Sequence, residues 1–128
     1  MNIIDHLSVG VPSIEAGVEF YNAVLETIGV ANLAQTEAFV AYGNGAVQFL
    51  LMKPENGEEF TAGNGTHICF KAESKEAVDA FHKTAMDKGG QCAGEPGPRP
   101  AYPKEGVYTG FVKDPFGHKL EVIFNGFA

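Results

Sequence analysis

Two histidines and one glutamate carry the sequence's clearest chemical signal. His6 opens a run in which Leu7, Val9 and Val11 alternate with His6, Ser8 and Gly10. His67 opens another, in which Ile68, Phe70 and Ala72 alternate with His67, Cys69 and Lys71. Period-two alternation is the pattern of a half-buried strand, so each histidine falls on the face opposite the apolar one. A lone histidine at a strand start is usually a polar filler, but two at matching places of a repeated unit are set symmetrically about an axis. The third candidate is Glu121, flanked by Leu120, Val122, Ile123 and Phe124. A carboxylate among apolar neighbours is costly unless it is paired or bound to a cation. Leu120, Val122 and Phe124 form one face of that strand and Glu121 points to the other. Two neutral imidazoles and a carboxylate make the facial set that holds Fe(II), Mn(II), Zn(II) or a similar ion with positions left for substrate. The competing reading is a Glu121–lysine pair at the domain edge.

The elements that would position these groups come from an internal repeat. Displacing the chain by 61 residues aligns residues 6–30 with 67–91 without a gap: His6 meets His67, Ser13 meets Ser74, Glu15 meets Glu76, Ala16 meets Ala77, Phe20 meets Phe81 and Gly29 meets Gly90. Each copy runs strand then helix, with Ser13 or Ser74 as the N-cap, an acid in the first turn and glycine at the stop. Ile14, Val18, Tyr21, Leu25 and Ile28 mark the first helix face, and Val78, Phe81 and Ala85 the second. Further strands are expected at 38–42 and 47–52, joined by Gly43-Asn44-Gly45, and at 107–113 and 119–124, joined by Asp114-Pro115-Phe116-Gly117. Weaker strand material lies at 30–33 and 91–93. The order is β-α-β-β-β, twice, within one domain of 1–128: a first module over about 1–54, a polar linker over about 55–64 and a second module over about 65–128. Residues 93–106, with four prolines, are expected to form a long ordered loop, and loops of that length are often functional.

Composition narrows the classes. The chain has 128 residues, 45% hydrophobic and 20% charged, enough for one folded core without staples. A net charge of −7 argues against nucleic acid, which needs clustered Lys and Arg. The imbalance sits in the first half, since acids and bases cancel over residues 65–128. No apolar run is long enough for a membrane span, and the first residues lack the pattern of a secretory signal. Two cysteines, Cys69 and Cys92, make no disulfide framework, so a reducing cytoplasm is expected.

With these motifs in hand, the chain resembles the vicinal oxygen chelate superfamily, which includes glyoxalase I, extradiol dioxygenases, fosfomycin-resistance enzymes and bleomycin-binding proteins. The matching segments are Asp5-His6-Leu7-Ser8-Val9, Phe20-Tyr21, Gly65-Thr66-His67-Ile68-Cys69-Phe70 and Asp114-Pro115-Phe116-Gly117-His118-Lys119-Leu120-Glu121, the last being the most specific. The resemblance implies an α+β fold of two tandem βαβββ modules forming a cup-shaped mixed sheet with helices outside. It implies one divalent metal (Fe, Mn, Zn or Ni) held by His6, His67 and Glu121, and a metal-dependent isomerase, lyase, transferase or dioxygenase acting on a small oxygen-chelating substrate. It also implies a homodimer, with the site either within a chain or across the interface. The alternative is a metal-free small-molecule or drug-binding protein of the bleomycin-resistance kind. Glyoxalase I has a further Glu on the last strand of its first module. Aligning Gly45 with Gly117 puts Phe49 opposite Glu121, which disfavours strict glyoxalase I; Gln48, one residue away, reaches that face only through a bulge, and water is the other candidate for the fourth position.

Other pocket candidates are Arg99, the single arginine, as a clamp for a carboxylate or phosphonate; Tyr102 and Tyr108 as hydrogen-bond donors to a bound oxygen; and Phe49, Leu51 and Phe111 as an apolar lining suited to a planar substrate. His82 is expected to face solvent or packing, His118 to lie beside the site or at the surface, and Cys69 to be a small buried hydrophobe.

Overall fold

The computed structural model describes residues 3–128, so Met1 and Asn2 of the expected first module lie outside the described residues. The chain runs β1 (Leu7–Gly10), α1 (Ile14–Glu26), β2 (Ala31–Gln35), β3 (Phe39–Asn44), β4 (Ala46–Met52), β5 (His67–Ala72), α2 (Lys75–Asp87), β6 (Gln91–Pro98), β7 (Tyr108–Lys113) and β8 (Lys119–Phe124). This is β-α-β-β-β twice. Each module is a four-stranded mixed sheet, ordered β1-β4-β3-β2 and β5-β8-β7-β6, and among the described residues no strand of one pairs with a strand of the other. Among the described residues no helix is long and apolar enough to cross a membrane.

The repeat is exact enough to reuse its caps. Ser13 Oγ accepts from Ala16 N and Ser74 Oγ from Ala77 N, each at 3.0 Å, satisfying an amide that a helix start leaves unpaired. Phe20, Tyr21, Val24 and Leu25 bury one face of α1, and Val78, Phe81 and Ala85 one face of α2. The helices pack on their own sheets and on one another, so both modules contribute to one core. Phe49 of the first meets Phe70 of the second edge to face at 5.3 Å.

Polar contacts join the modules as well. Tyr21 donates to the buried Asp114 in the β7–β8 turn, and the other Asp114 oxygen accepts from the amides of Phe116 and His118. His118, buried rather than at the surface, lies with Nε2 2.6 Å from the carbonyl of Gly10. The connecting segment is less detached than its composition implies, because Phe60 packs against Phe116 and His118.

Tyr21 has a consequence for alkaline stability. Burial first, then the Asp114 carboxylate, pushes its hydroxyl well above the ordinary value of 10.0. In the unfolded chain the phenol ionises near pH 10; in the folded chain it keeps its proton. Its contribution is therefore full below pH 10 and lost as pH rises above it, at about 1.4 kcal/mol per pH unit. Denaturant unfolding between pH 9 and 11.5 is expected to show this decline, and Tyr21→Phe to flatten it by one proton while lowering stability at pH 7.

Strand pairing is irregular at two places. β6 continues to Pro98 and takes up the start of the expected proline loop; as an edge strand it tolerates Pro96 and Pro98, and its register with β7 shifts twice, between Cys92 and Gly94 and between Gly94 and Gly97. In the first module β3 and β4 also slip. Gly43 pairs with Val47 but Tyr42 with Phe49, leaving Gln48 as the extra residue of a bulge. Gly43 is required there, since a Cβ would stand 1.7 Å from the carbonyl oxygen of Ala46.

Candidate functional site

The site is built on the face of the second sheet that turns away from the helices. Leu120 and Val122 of β8 enter the core, so Glu121 between them projects to the opposite face, only 5% exposed. Cross-strand pairing sets Cys69 of β5 on one side of it and Phe111 of β7 on the other. His67, two residues before Cys69, shares that face, and its Nε2 lies 3.2 Å from Glu121 Oε1. The second carboxylate oxygen accepts from Thr109 Oγ1 at 2.7 Å and from the Tyr102 hydroxyl at 3.2 Å. Two neutral donors thus hold one oxygen, which fixes the other towards His67. The lysine partner of the competing reading is not found: among the described residues the ion pair recorded for Glu121 is with His67.

Neighbouring groups follow from this carboxylate. Crowding, and then Glu121, raise the Tyr102 hydroxyl, so it stays protonated and donates. Cys69 is exposed as a residue, not the buried hydrophobe expected, but its thiol is desolvated and faces Glu121, which together push it up to about 12. The His67 ring lies 6.3 Å from that of Phe111, over which Lys119 Nζ also sits at 5.2 Å. A cleft of about 450 Å³ runs beside His67 along residues 62–67, carrying Lys113 and Lys119.

His6 stands apart. It immediately precedes β1, with Nδ1 2.6 Å from the Asp5 carboxylate. Its side chain is 58% exposed, and that of His67 is 47% exposed. Within one chain the donor atoms of His6, His67 and Glu121 do not all lie within 4.8 Å of one another. Among the described residues the one group of three His, Cys or acidic donors within mutual reach is His82, Cys92 and Glu95.

Several expectations are corrected. Phe49 does not line the site; it is 3% exposed on the helix-facing side of β4, against Tyr21, Tyr42 and Phe70. The true counterpart of Glu121 is Leu50. Leu50 pairs with Ser8 as Glu121 pairs with Cys69, and Ser8 and Cys69 are equivalent in the 61-residue repeat. The bulge at Gln48 adds a residue between Gly45 and this position, which puts the alignment on the turn glycines out by one. Leu51 likewise is wholly buried on the core side. Tyr108 lies on the helix side of β7, where its hydroxyl donates to Asp79 of α2 at 2.6 Å, across the sheet from Glu121. Arg99 does not present an open fork: Nη2 donates to Glu95 O, and Nη1 to Gly97 O and Pro98 O, bracing its own loop over Phe111. For His82, expected to face solvent or packing, packing is what the structure shows, since it is buried on α2. Phe111 and Tyr102 do stand beside Glu121. Thr109 was missed, although alternation from Phe111 along the same expected strand places it on this face.

The architecture defines a class: two tandem βαβββ modules, each a four-stranded mixed sheet with one helix. The model of the Glyoxalase/Bleomycin resistance protein/Dioxygenase superfamily matches residues 3–122. The chain belongs to that superfamily. Among solved structures it is similar to a glyoxalase/bleomycin resistance protein from Albidiferax ferrireducens T118, at 32% identity and TM-score 0.87 over 98% of this chain and 100% of that one. A glyoxalase-related enzyme from Fulvimarina pelagi is 22% identical, with TM-score 0.74 over 98% of this chain and 89% of that one. A glyoxalase/bleomycin resistance protein/dioxygenase family enzyme from Burkholderia phytofirmans PsJN is 19% identical, with TM-score 0.72 over 93% and 95%. These last two likenesses speak for the fold alone. Among curated proteins none matches.

Proposed function

We propose that the protein is a divalent-metal-dependent enzyme acting on a small organic substrate that binds through neighbouring oxygens, with His6, His67 and Glu121 as the metal ligands and His6 supplied by a second copy of the chain. One observation carries this reading: His67 Nε2 and Glu121 Oε1 meet at 3.2 Å on an exposed sheet face, the carboxylate buried and its other oxygen held by neutral donors. The donor set fits Fe(II), Mn(II), Ni(II) or Zn(II), and a site made of two such donors needs a third.

A homodimer supplies it. Exposed apolar residues flank both half-sites: Ile3 and Ile4 precede His6, and Phe127 packs on Tyr102 beside Glu121. Leu33 and Val47 add to the uncovered surface of the first sheet's module. Covering such surface is the ordinary driving force of a symmetric dimer.

The bound metal would act as a Lewis acid on a substrate oxygen. Around it, Tyr102 and Thr109 orient Glu121, Phe111 offers a flat apolar contact, and Lys119 and Lys113 favour a substrate with an anionic group. Leu50 supplies no carboxylate to move a proton from the first module, which argues against strict glyoxalase I chemistry and leaves isomerase, lyase, transferase and dioxygenase reactions. Metal analysis of the dimer purified without added metal is expected to give at least about one ion per chain, and Glu121→Gln to lower metal affinity at the Glu121 site by at least about 100-fold, beyond the effect of losing an outer partner. Unchanged affinity in a folded Glu121→Gln protein rejects the assignment; a protein that binds an aromatic ligand equally well with and without metal supports the metal-free binder instead.

A further inference from the structure

We propose that His82, Cys92 and Glu95 form a second cation site, separate from the face that bears Glu121, for a borderline-soft divalent ion of the zinc class. One donor atom from each of the three lies within 4.8 Å of the others: His82 Nε2 is 3.2 Å from Cys92 Sγ, which is 3.5 Å from Glu95 Oε1. With metal–nitrogen and metal–oxygen bonds near 2.0–2.2 Å and metal–sulfur near 2.3 Å, tetrahedral donors stand about 3.5 Å apart, so the side chains need only small adjustments to grip one ion. Imidazole, thiolate and carboxylate together suit Zn(II) better than a hard ion such as Mg(II). The fourth position opens to solvent, because Cys92 and Glu95 are exposed.

Two features mark the cluster as more than chance proximity. Cys92 and Glu95 are three residues apart, so a regular strand would send them to opposite faces. The bulge between Cys92 and Gly94 sets Ala93 out of register and brings Glu95 to the same side as Cys92. His82, 7% exposed, occupies the buried face of α2 beside Val78, Phe81 and Ala85, and the partner of its Nε2 is a thiol, a weak hydrogen-bonding group. A buried imidazole beside a thiol, with a carboxylate within 4.8 Å, presents the donor types that a zinc-class cation takes.

The site is distinct from the one around Glu121. Cys92 pairs with Val112, which faces the core, whereas Glu121 pairs with Phe111 on the other side of the sheet. An ion here would pin α2 to the edge strand β6 and convert Cys92 to the thiolate, shielding it from alkylation. The carbonyl of Glu95 also receives the Arg99 guanidinium, so the clamp would steady the loop that covers Phe111.

Co(II) is the probe, because a thiolate ligand gives it an intense near-ultraviolet charge-transfer band. Titration of the Glu121→Gln protein, in which the first site is disabled, is expected to give one equivalent of Co(II) with that band, displaced by Zn(II). The band should vanish in Cys92→Ser and persist in Cys69→Ser. Glu95→Gln should bind about tenfold more weakly or worse. Both Cys92 and Glu95 are exposed, so these variants are expected to stay folded, which circular dichroism checks. Absence of the band in folded protein, or a band that survives Cys92→Ser and is lost in Cys69→Ser, overturns the proposal. Because the first site is disabled throughout, the result is independent of its assignment.

Discussion

Mixing Glu121→Gln chains with His6→Ala chains is expected to restore metal binding at the Glu121 site, which neither variant has alone. If each site takes His6 from one chain and His67 with Glu121 from the other, both homodimers are broken at every site. A heterodimer is different. It pairs the intact His6 of the Glu121→Gln chain with the intact His67 and Glu121 of the His6→Ala chain, giving one complete site and one doubly defective site. Random reassociation after mild dissociation yields about half heterodimers, so the mixture should hold about a quarter of the wild-type metal. If the three ligands were contributed by one chain, mixing would restore nothing. The readout is metal content after dialysis, with sedimentation confirming that the chains have exchanged. The expectation rests on the separation seen within one chain, where His67 and Glu121 touch and His6 lies exposed beside Asp5. The measurement would use Glu121→Gln chains scored only for this site, since the proposed His82–Cys92–Glu95 site binds independently; Cys92→Ser in both partners removes that background.

The second large effect separates two adjacent residues. Phe49→Glu is expected to unfold the protein and Leu50→Glu to leave it folded. Phe49 fills the core between Tyr21, Tyr42 and Phe70. Removing such a ring costs about 3–5 kcal/mol, and an unpaired carboxylate in its place adds several more. That total approaches the whole stability of a typical domain, about 5–15 kcal/mol. Leu50 points to the open face, half-buried, where a carboxylate reaches water; the expected cost is about 1 kcal/mol. Leu50→Glu also creates the first-module carboxylate that Glu121 has in the second. Under the proposed site it should tighten metal binding, which a titration against the wild type would measure. Thermal unfolding of the two variants decides the matter. A stable Phe49→Glu protein beside an unfolded Leu50→Glu protein would mean that the bulge at Gln48 is misplaced and that the glycine-anchored alignment is right.

The same pair of residues marks how far the sequence can be read. Alternation in a strand is strict only while pairing is regular. One extra residue in β4 moved the equivalence from Phe49 to Leu50, and the slip in β6 brought Cys92 and Glu95 to one side. A bulge is a feature of how two strands pair, and the residues that form it carry no special type beyond the glycine that tolerates it. Where pairing is regular, alternation is a sound guide: along β8 and β7 the rule of two puts Glu121, Phe111 and Thr109 on one face, and the same rule should have put Tyr108 on the other.

By itself the amino-acid chain determined the doubled β-α-β-β-β order, the serine caps, the helix faces and the one carboxylate set between apolar neighbours in its last strand. These are written in short-range spacing, where a few adjacent residues fix the local backbone and the face each side chain takes. Tertiary structure alone decided that His67 meets Glu121 while His6 does not, that Arg99 turns back on its own loop, and that His82 reaches Cys92. Each of those depends on how distant elements are placed against one another, and that placement is set by packing over the whole core, which no local pattern records.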